Sequence, residues 1–215
     1  MRFAFPKVYP ILDSSLIPTA GRVEFLRRLG GEMTAAGARL MEYRNKTGTV
    51  EQIMADAAVL RAAMPAGQVK LILDDRAELV ERIGFDGVHV DAGDASPAEA
   101  RRLVGPDRIV GTFGGNLELI PGILDEPADY FAVGPVWATV TKQTDLPSIG
   151  VEGVRRLRAK VGPDVVLTAA GGVRLETAPL VLEAGATAVA VVGAIFRAPD
   201  PAAEFRRWAS ALESR

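Results

Sequence analysis

The sequence predicts a parallel α/β protein, a single (β/α)8 TIM barrel that spans residues 1–215. Short apolar or β-branched runs alternate with amphipathic stretches along the whole chain. Eight such pairs leave about 27 residues each, which is enough for one strand, one helix and two short loops. The run Ser14–Pro18 follows the first strand, where a doubly wound open sheet usually carries a Gly-rich turn. The closed barrel is therefore favoured over the open sheet.

The elements follow from the hydrophobic pattern, taken in chain order. We expect strands at Val8–Asp13, Leu40–Asn45, Val69–Asp74, Asp86–Asp91, Arg108–Phe113, Asp129–Val136, Val165–Gly172 and Ala188–Ile195. We expect helices near Arg22–Ala36, Val50–Ala63, Arg76–Ile83, Pro97–Val104, Glu118–Leu124, Val151–Lys160, Leu175–Ala184 and Pro201–Glu213. Thr49 and Ser96 begin capping boxes, and Pro97 takes the favoured first helical position.

The composition excludes several classes of function. With 25 Lys and Arg against 27 Asp and Glu, the net charge of −2 gives no basic footprint for nucleic acid. The absence of Cys excludes disulfides, thiol nucleophiles and thiolate zinc sites. His89 is the one histidine, so a multi-His metal site is excluded. Between the flanking strand residues Val88 and Val90, it is most simply a packed, hydrogen-bonded core histidine.

The sequence gives no sign of targeting or membrane insertion. Pro6 and Lys7 interrupt the N-terminal apolar run before it reaches the length of a signal peptide. Residues 184–196 form an uncharged stretch near the C-terminus, and 13 residues are too few to span a bilayer. We expect a soluble, cytoplasmic protein with no membrane or nucleic-acid partner, and a homo-oligomer is possible.

In a barrel of this kind, the active site lies at the carboxyl ends of the strands. Gly171, Gly172, Gly193 and Ala194 follow strands 7 and 8, where backbone N–H groups can approach a phosphate. These glycines could instead simply make tight turns. Phe113 and Trp137, also at strand ends, could stack on a ring or serve only in packing.

Two carboxylates at strand ends are candidate magnesium ligands. Asp75 follows strand 3 and Asp94 follows strand 4, and Mg²⁺ commonly takes one or two carboxylates together with substrate phosphates and water. Spacing alone favours helix capping for both residues. The cations Arg44, Lys46 and Lys142 change this balance, because cations beside a carboxylate–metal pair suit a diphosphate.

Six collinear segments resemble the superfamily of thiamine phosphate synthase and thiazole tautomerase. Glu42, Arg44 and Lys46 stand where that family has approximately Q-x-R-x-K. The most specific segment is G-P-V-W-A-T-V-T-K at 134–142. The other segments lie at 74–76, 86–90, 171–173 and 192–195.

The resemblance implies a TIM barrel that joins hydroxymethylpyrimidine diphosphate to hydroxyethylthiazole phosphate, releasing thiamine phosphate and pyrophosphate. It implies Mg²⁺ held by Asp75 and Asp94, and diphosphate bound by Arg44, Lys46 and Lys142. It also places the remaining substrate-binding residues, which are Glu42, Asp74, Phe113, Thr139, Thr141, Gly171, Gly172, Gly193 and Ala194.

The chain also departs from the family pattern. Glu42 replaces the family Gln, Asp74 replaces an Asn, Phe113 replaces a Ser, and Gly115 replaces a His. In one interpretation the synthase chemistry survives, with Glu42 accepting from the pyrimidine amino group and Phe113 forming an aromatic wall. In others the protein is a paralogue that acts on another phosphorylated ligand, or a non-catalytic binding or regulatory protein. The retained cations, together with Asp75 and Asp94, favour a diphosphate-plus-magnesium ligand, and the synthase-like transferase is the preferred interpretation.

Overall fold

The computed structural model describes residues 3–91, 93–115, 120–139 and 146–213, and its eight parallel strands close into a barrel in chain order. The strands are β1 (Val8–Asp13), β2 (Leu40–Arg44), β3 (Lys70–Asp74), β4 (Gly87–Val90), β5 (Ile109–Gly115), β6 (Tyr130–Val133), β7 (Leu167–Ala169) and β8 (Ala188–Val191). Strand β8 returns to pair with β1, with Val189 opposite Val8. The predicted TIM barrel is therefore confirmed.

Helices follow the strands around the outside of the barrel. They are α1 (Arg22–Ala35), α2 (Val50–Ala63), α3 (Val80–Ile83), α4 (Pro97–Val104), α5 (Ile120–Ile123), α6 (Gly150–Val161), α7 (Ala178–Glu183), α8 (Gly193–Phe196) and α9 (Pro201–Glu213). Ser96 forms the complete capping box with Glu99 that the sequence predicts. Thr49 caps α2 through the backbone N–H of Gln52, whose own side chain turns to Asp56 instead, so that box forms only in part.

Alternation along each strand sends one side chain into the barrel and the next toward the helices. On β2, Glu42 and Arg44 face the interior, whereas Tyr43 packs outward. The interior near the amino ends of the strands is aromatic, with Tyr9 and Tyr130 packed edge to face at 5.7 Å between centroids. Gly111 makes room for this arrangement, because a Cβ there would lie 2.0 Å from Cζ of Tyr130.

Three arginines on alternate helices, Arg61, Arg101 and Arg158, fasten the amino ends of the strands; we call them the arginine clamps. Each donates to loop carbonyls before the next two strands: Met64, Val69 and Gly84 for the first, Gly105, Arg108 and Pro127 for the second, and Gly162, Val165 and Gly185 for the third.

Each clamp also binds one side chain placed just before an even-numbered strand: Asp86, Asp129 and Thr187 in turn. That side chain accepts a backbone N–H from the preceding strand: Leu71, Val110 and Leu167 respectively. The same arrangement therefore ties β3 to β4, β5 to β6, and β7 to β8. It satisfies backbone groups, most of them partly buried, at the end of the barrel opposite the carboxyl ends of the strands.

The main differences from the predicted elements lie near the C-terminus. The strand predicted over Ala188–Ile195 ends at Val191, and the short helix α8 begins at Gly193. The strand predicted over Val165–Gly172 is limited to Leu167–Ala169. In both places an apolar run continues beyond the last paired residue, so hydrophobicity alone overestimates the strand. Among the described residues, no helix has both the length and the apolar character needed to cross a bilayer.

Candidate active site

A cavity of about 870 Å³ opens at the carboxyl ends of the strands. Every strand contributes at least one residue to its wall: Ile11, Glu42, Asp74, His89, Phe113, Ala132, Thr168 and Ala190, in strand order. The loops after β6, β7 and β8 complete the wall. The cavity therefore lies where barrels of this class carry their active sites, as the sequence predicts.

Two cations and three carboxylates form a network on one side of this cavity. Arg44 pairs with Asp13, and its Nε lies 3.4 Å from Oδ2 of Asp74. Nζ of Lys46 lies 3.1 Å from the same oxygen and donates to both oxygens of Asp75, at 2.6 and 2.7 Å. The structure thus brings together Arg44, Lys46, Asp74 and Asp75, which are four of the predicted site residues.

Burial and mutual charge shift the pKa values in this network. Burial opposes the charge on Lys46, but the Asp74 and Asp75 carboxylates outweigh it and raise the pKa of Lys46 to about 12. Burial, the Asp94 side chain and the charge of Asp74 together raise the pKa of Asp75 to about 7. Burial is also the main reason that the pKa of Asp74 is raised. The negative charge of the carboxylates is therefore larger than the two cations can neutralise.

Neither candidate metal ligand caps a helix. Asp75 accepts from Lys46 and lies beside the carboxyl group of Asp94, whose Oδ2 accepts the backbone N–H of Asp91 at 2.9 Å. Asp75 and Arg76 have φ values of 61° and 46°, a left-handed conformation that is unfavourable for residues other than glycine. Such backbone strain is concentrated at functional sites. The capping interpretation is thus replaced by a pair of adjacent carboxyl groups beside the ion-pair network of Arg44 and Lys46.

This carboxyl pair fits a magnesium ion. Two carboxyl groups in contact share a proton or bind a cation, because two like charges so close repel each other. Within the described part of the chain, no three Asp, Glu or His side chains come together as a metal site. Mg²⁺ needs no such set, since it is usually held by one or two carboxylates with substrate phosphates and water. Asp75 and Asp94 supply that number.

A chain of hydrogen-bonded side chains forms the floor of the cavity. Tyr9 donates to Oε2 of Glu42 at 2.5 Å, and its oxygen lies 2.8 Å from that of Tyr130. Nδ1 of His89 lies 3.1 Å from the Tyr130 hydroxyl, and Nε2 lies 3.7 Å from Oδ1 of Asp91. His89 is buried and hydrogen-bonded, as predicted, but it also faces the cavity.

The acid–base properties of this floor follow from its burial. Burial raises the pKa of Glu42 to about 7, although His89 partly opposes the shift. Burial alone would lower the pKa of His89, but the carboxylates of Asp91, Glu42 and Asp74 outweigh it and raise that pKa. The floor can therefore hold or release protons near neutral pH.

A second side of the cavity, formed by the loops after β7 and β8, is built from glycine turns and two arginines. Gly171 and Gly172 have φ values of +87° and +67°, and a Cβ on Gly172 would lie 2.7 Å from the carbonyl oxygen of Ala138. The turn therefore requires glycine for its own geometry. Gly193 begins α8 beside the side chain of Arg197, whose Nε would be 3.3 Å from a Cβ on this glycine.

The two arginines here are functional candidates that sequence reasoning missed. Arg174 and Arg197 are exposed and line the mouth of the cavity near the glycine turns. The sequence did contain an indication of them, since Arg174 lies two residues after Gly172 and Arg197 lies four residues after Gly193. The tyrosines of the floor were also missed, because each falls within an apolar run.

The remaining predicted residues have different outcomes. Phe113, Trp137, Thr139 and Ala194 line the cavity. Thr141 and Lys142 lie outside the described residues. The structure therefore brings most of the predicted site to one cavity, and the roles of the individual residues stay predictions.

Comparison with known proteins gives a consistent result. The family model for thiamine monophosphate synthase matches residues 8–195. The thiamine-phosphate synthase of Koribacter versatilis is 36% identical over 201 residues, covering 93% of this chain and 94% of the relative. The thiamine-phosphate synthase of Agrobacterium fabrum is 35% identical over 207 residues, covering 95% and 92%.

Solved structures agree. The thiamine phosphate pyrophosphorylase of Pyrococcus furiosus has a TM-score of 0.79 at 27% identity and covers 96% of each chain. The orotidine 5'-phosphate decarboxylase of Pyrococcus horikoshii has a TM-score of 0.66 at 14% identity, covering 95% of this chain and 99% of its own. The second likeness shows the barrel fold alone.

Proposed function

Because the chain belongs to the thiamine monophosphate synthase family, we propose that it joins hydroxymethylpyrimidine diphosphate to hydroxyethylthiazole phosphate, giving thiamine phosphate and pyrophosphate. One observation carries the proposal: Arg44 and Asp74 line one side of a single cavity, with Lys46 and Asp75 joined to them by ion pairs, and glycine turns with two arginines line the side formed by the loops after β7 and β8. Two phosphorylated substrates that must meet need two anion sites joined by a common space.

The diphosphate binds at the end that holds Arg44 and Lys46. Both cations are paired with carboxylates, so they lie in a fixed position before substrate arrives. Lys142 adds a third cation in this proposal. As the bond between the methylene carbon and the diphosphate breaks, negative charge grows on the departing oxygens, and these preorganised cations stabilise it.

Asp75 and Asp94 would hold magnesium in this site, in keeping with their contact with each other. Bound there, the ion would neutralise part of the charge on the diphosphate. Lys46 would then exchange part of its pairing with Asp75 for the diphosphate oxygens. The raised pKa of Asp75, about 7, supports this role, since a cation would replace the proton that this carboxyl otherwise retains.

The thiazole phosphate binds at the side of the cavity formed by the loops after β7 and β8. Backbone N–H groups of Gly171, Gly172, Gly193 and Ala194 bind its oxygens, and Arg174 and Arg197 close the site from the solvent side. A phosphate in this place, after strands 7 and 8 and beside a short extra helix, is a recurring property of the barrel fold.

The pyrimidine occupies the floor between these two ends. Glu42 accepts from its amino group, and Phe113 lies on the wall where a pyrimidinyl-methyl cation would form, with Asp74, Thr139 and Thr141 completing the pocket. The thiazole nitrogen then forms the new bond to the methylene carbon. Holding both rings in one cavity makes this step effectively unimolecular.

A direct assay tests the proposal. The purified protein is incubated with both substrates and Mg²⁺, and thiamine phosphate is detected by chromatography. We expect product that disappears with a chelator and in Asp75→Ala, while the exposed variant Asp200→Ala keeps activity.

The outcome without product is also informative. If no thiamine phosphate forms but calorimetry shows Mg²⁺-dependent binding of pyrophosphate, the diphosphate site stands and the organic substrate differs. This second candidate is favoured by Phe113 and Glu42, which alter the wall and floor of the ring pocket. If neither product nor binding is found, the transferase proposal is wrong.

A further inference from the structure

A buried group of polar side chains lies behind β2, on the side away from the cavity. Asp56 of α2 is 2% exposed and accepts from Arg22, with Nη2 at 2.6 Å. The hydroxyl of Tyr43 also donates to this carboxylate. Tyr43 stands between Glu42 and Arg44 on the same strand, and both of those neighbours line the cavity. This group therefore anchors the outer face of the strand that carries two site residues.

The group extends into the loop after β2. Nδ2 of Asn45 donates to the Tyr43 hydroxyl at 2.9 Å, and Oδ1 of Asn45 accepts the backbone N–H of Gly48 at 2.8 Å. A Cβ on Gly48 would lie 2.4 Å from Nδ2, so the loop closes tightly on the amide. Lys46, which pairs with Asp75, lies inside this closed loop.

We infer that Asn45 is a positioning residue for Lys46: anchored by Tyr43 and Asp56, its amide folds the loop that directs the lysine toward Asp74 and Asp75. The inference rests on the proposed diphosphate site. It depends on neither the identity of the ring substrates nor turnover. Asn45 is 8% exposed, so its hydrogen bonds are protected from competition with water.

Binding of magnesium pyrophosphate, followed by calorimetry, tests the inference without any reaction. Hydrogen-bonded partners that orient the ligands of a metal site typically contribute about 10–100-fold to affinity, and we apply the lower figure to the lysine of this site. We expect Asn45→Ala and Tyr43→Phe each to weaken pyrophosphate binding by about tenfold. The matched control is Gln52→Ala, which removes a hydrogen bond to Asp56 but leaves the Tyr43–Asn45 connection intact, and we expect less than about a twofold change.

A double-mutant cycle separates positioning from general destabilisation. If Asn45 acts through Lys46, adding Asn45→Ala to Lys46→Met should weaken binding by less than about a further twofold. In the single Asn45→Ala variant, hydrogen exchange of the Gly48 amide should accelerate at least about tenfold. In turnover, KM for the pyrimidine diphosphate should rise while KM for the thiazole phosphate stays unchanged.

Clear results would overturn the inference. The first is a pyrophosphate affinity in Asn45→Ala within twofold of that of the starting protein. The second is a loss of affinity from Asn45→Ala that is as large in the Lys46→Met background as in the starting protein. The third is an unchanged hydrogen-exchange rate at the Gly48 amide. If Asn45→Ala does not fold, Tyr43→Phe gives the same test, because it retains the buried ring. Pyrophosphate binding without thiamine phosphate would reject the proposed function and leave this inference standing.

Discussion

The phenol of Tyr9 donates to Oε2 of Glu42 over 2.5 Å in the interior of the barrel, and the same phenol contacts the Tyr130 hydroxyl. Both tyrosines are buried, and Glu42 itself lines the cavity, so this carboxyl is accessible from the cavity side. Among the described residues, no protein hydrogen bond is made by Oε1 of Glu42, which leaves that oxygen for a ligand. The floor thus holds the Glu42 carboxyl in a fixed position, with a pKa of about 7.

Glu42→Gln should make stability less dependent on pH. The pKa of Glu42 in the folded protein, about 7, lies above its ordinary 4.5, so the folded state binds more protons between these values. The resulting stability is present below about pH 4.5 and is lost as pH rises through 7, by up to roughly 3 kcal/mol. Gln retains an acceptor for Tyr9 and does not titrate. In urea denaturation, the free energy of unfolding of the variant should therefore rise relative to that of the starting protein from about pH 5 to about pH 8.

The exposed variant Glu24→Gln provides the control for this experiment. Its stability should follow that of the starting protein across the same pH range. If Glu42→Gln also follows it, burial does not hold a proton on Glu42.

Phe113→Ser should raise kcat/KM for the pyrimidine diphosphate by about tenfold. Phe113 lines the cavity near the carboxyl end of β5, where the resemblance places a hydroxyl that contacts the pyrimidine. Steady-state kinetics with each substrate varied in turn would measure the change. The companion variant Phe113→Ala creates space without adding a hydroxyl, and its kcat/KM should not rise. Identical rates for all three proteins would place Phe113 outside the ring pocket.

Arg197→Ala should raise KM for the thiazole phosphate by about tenfold, because a charge-assisted hydrogen bond to phosphate is lost. Pyrophosphate binding at the other end of the cavity should be unaffected. Arg207→Ala is the control, since this exposed arginine of α9 pairs with Glu204. A loss confined to pyrophosphate binding would contradict the assignment of the two ends.

Arg101→Ala should lower the free energy of unfolding by about 2 kcal/mol, because the partly buried carbonyls of Gly105 and Arg108 lose their donor and Asp129 loses its ion pair. Its guanidinium donates to the carbonyls of Gly105 and Pro127 and pairs with Asp129 at 2.6 Å. Urea denaturation would give the value. The neighbouring exposed Arg102→Ala should change it by less than about 0.5 kcal/mol. Equal effects of the two substitutions would mean that the clamp contributes little.

The fold was predictable because the alternation of strands and helices is regular and nearly every connection is short. Helix α2 was predicted with its observed bounds, Val50–Ala63, because Thr49 marks its start. The end of β8 was not predicted, since the apolar run continues through Gly193 into α8. Pairing with neighbouring strands stops β8 at Val191, and periodicity carries no information about that pairing.

The site was predictable in part for the same reason. Residues at strand ends, such as Arg44 and Asp75, were found because the barrel brings all such ends together. Tyr9 and Tyr130 were not, because a tyrosine within an apolar strand gives no indication of which neighbour its hydroxyl contacts. Arg197 was missed because its position depends on α8, which sequence periodicity did not indicate.

The arginine clamps have a consequence for how this chain tolerates change. They stabilise the ends of the strands opposite the cavity, and none of the three lines the cavity itself. Substitutions at sites that share no partner contribute almost independently to stability. Residues that line the cavity, such as Phe113, can therefore change while the clamps hold the pairs from β3 to β8 together at the other end. Divergence in substrate preference is in this way separated from the risk of unfolding.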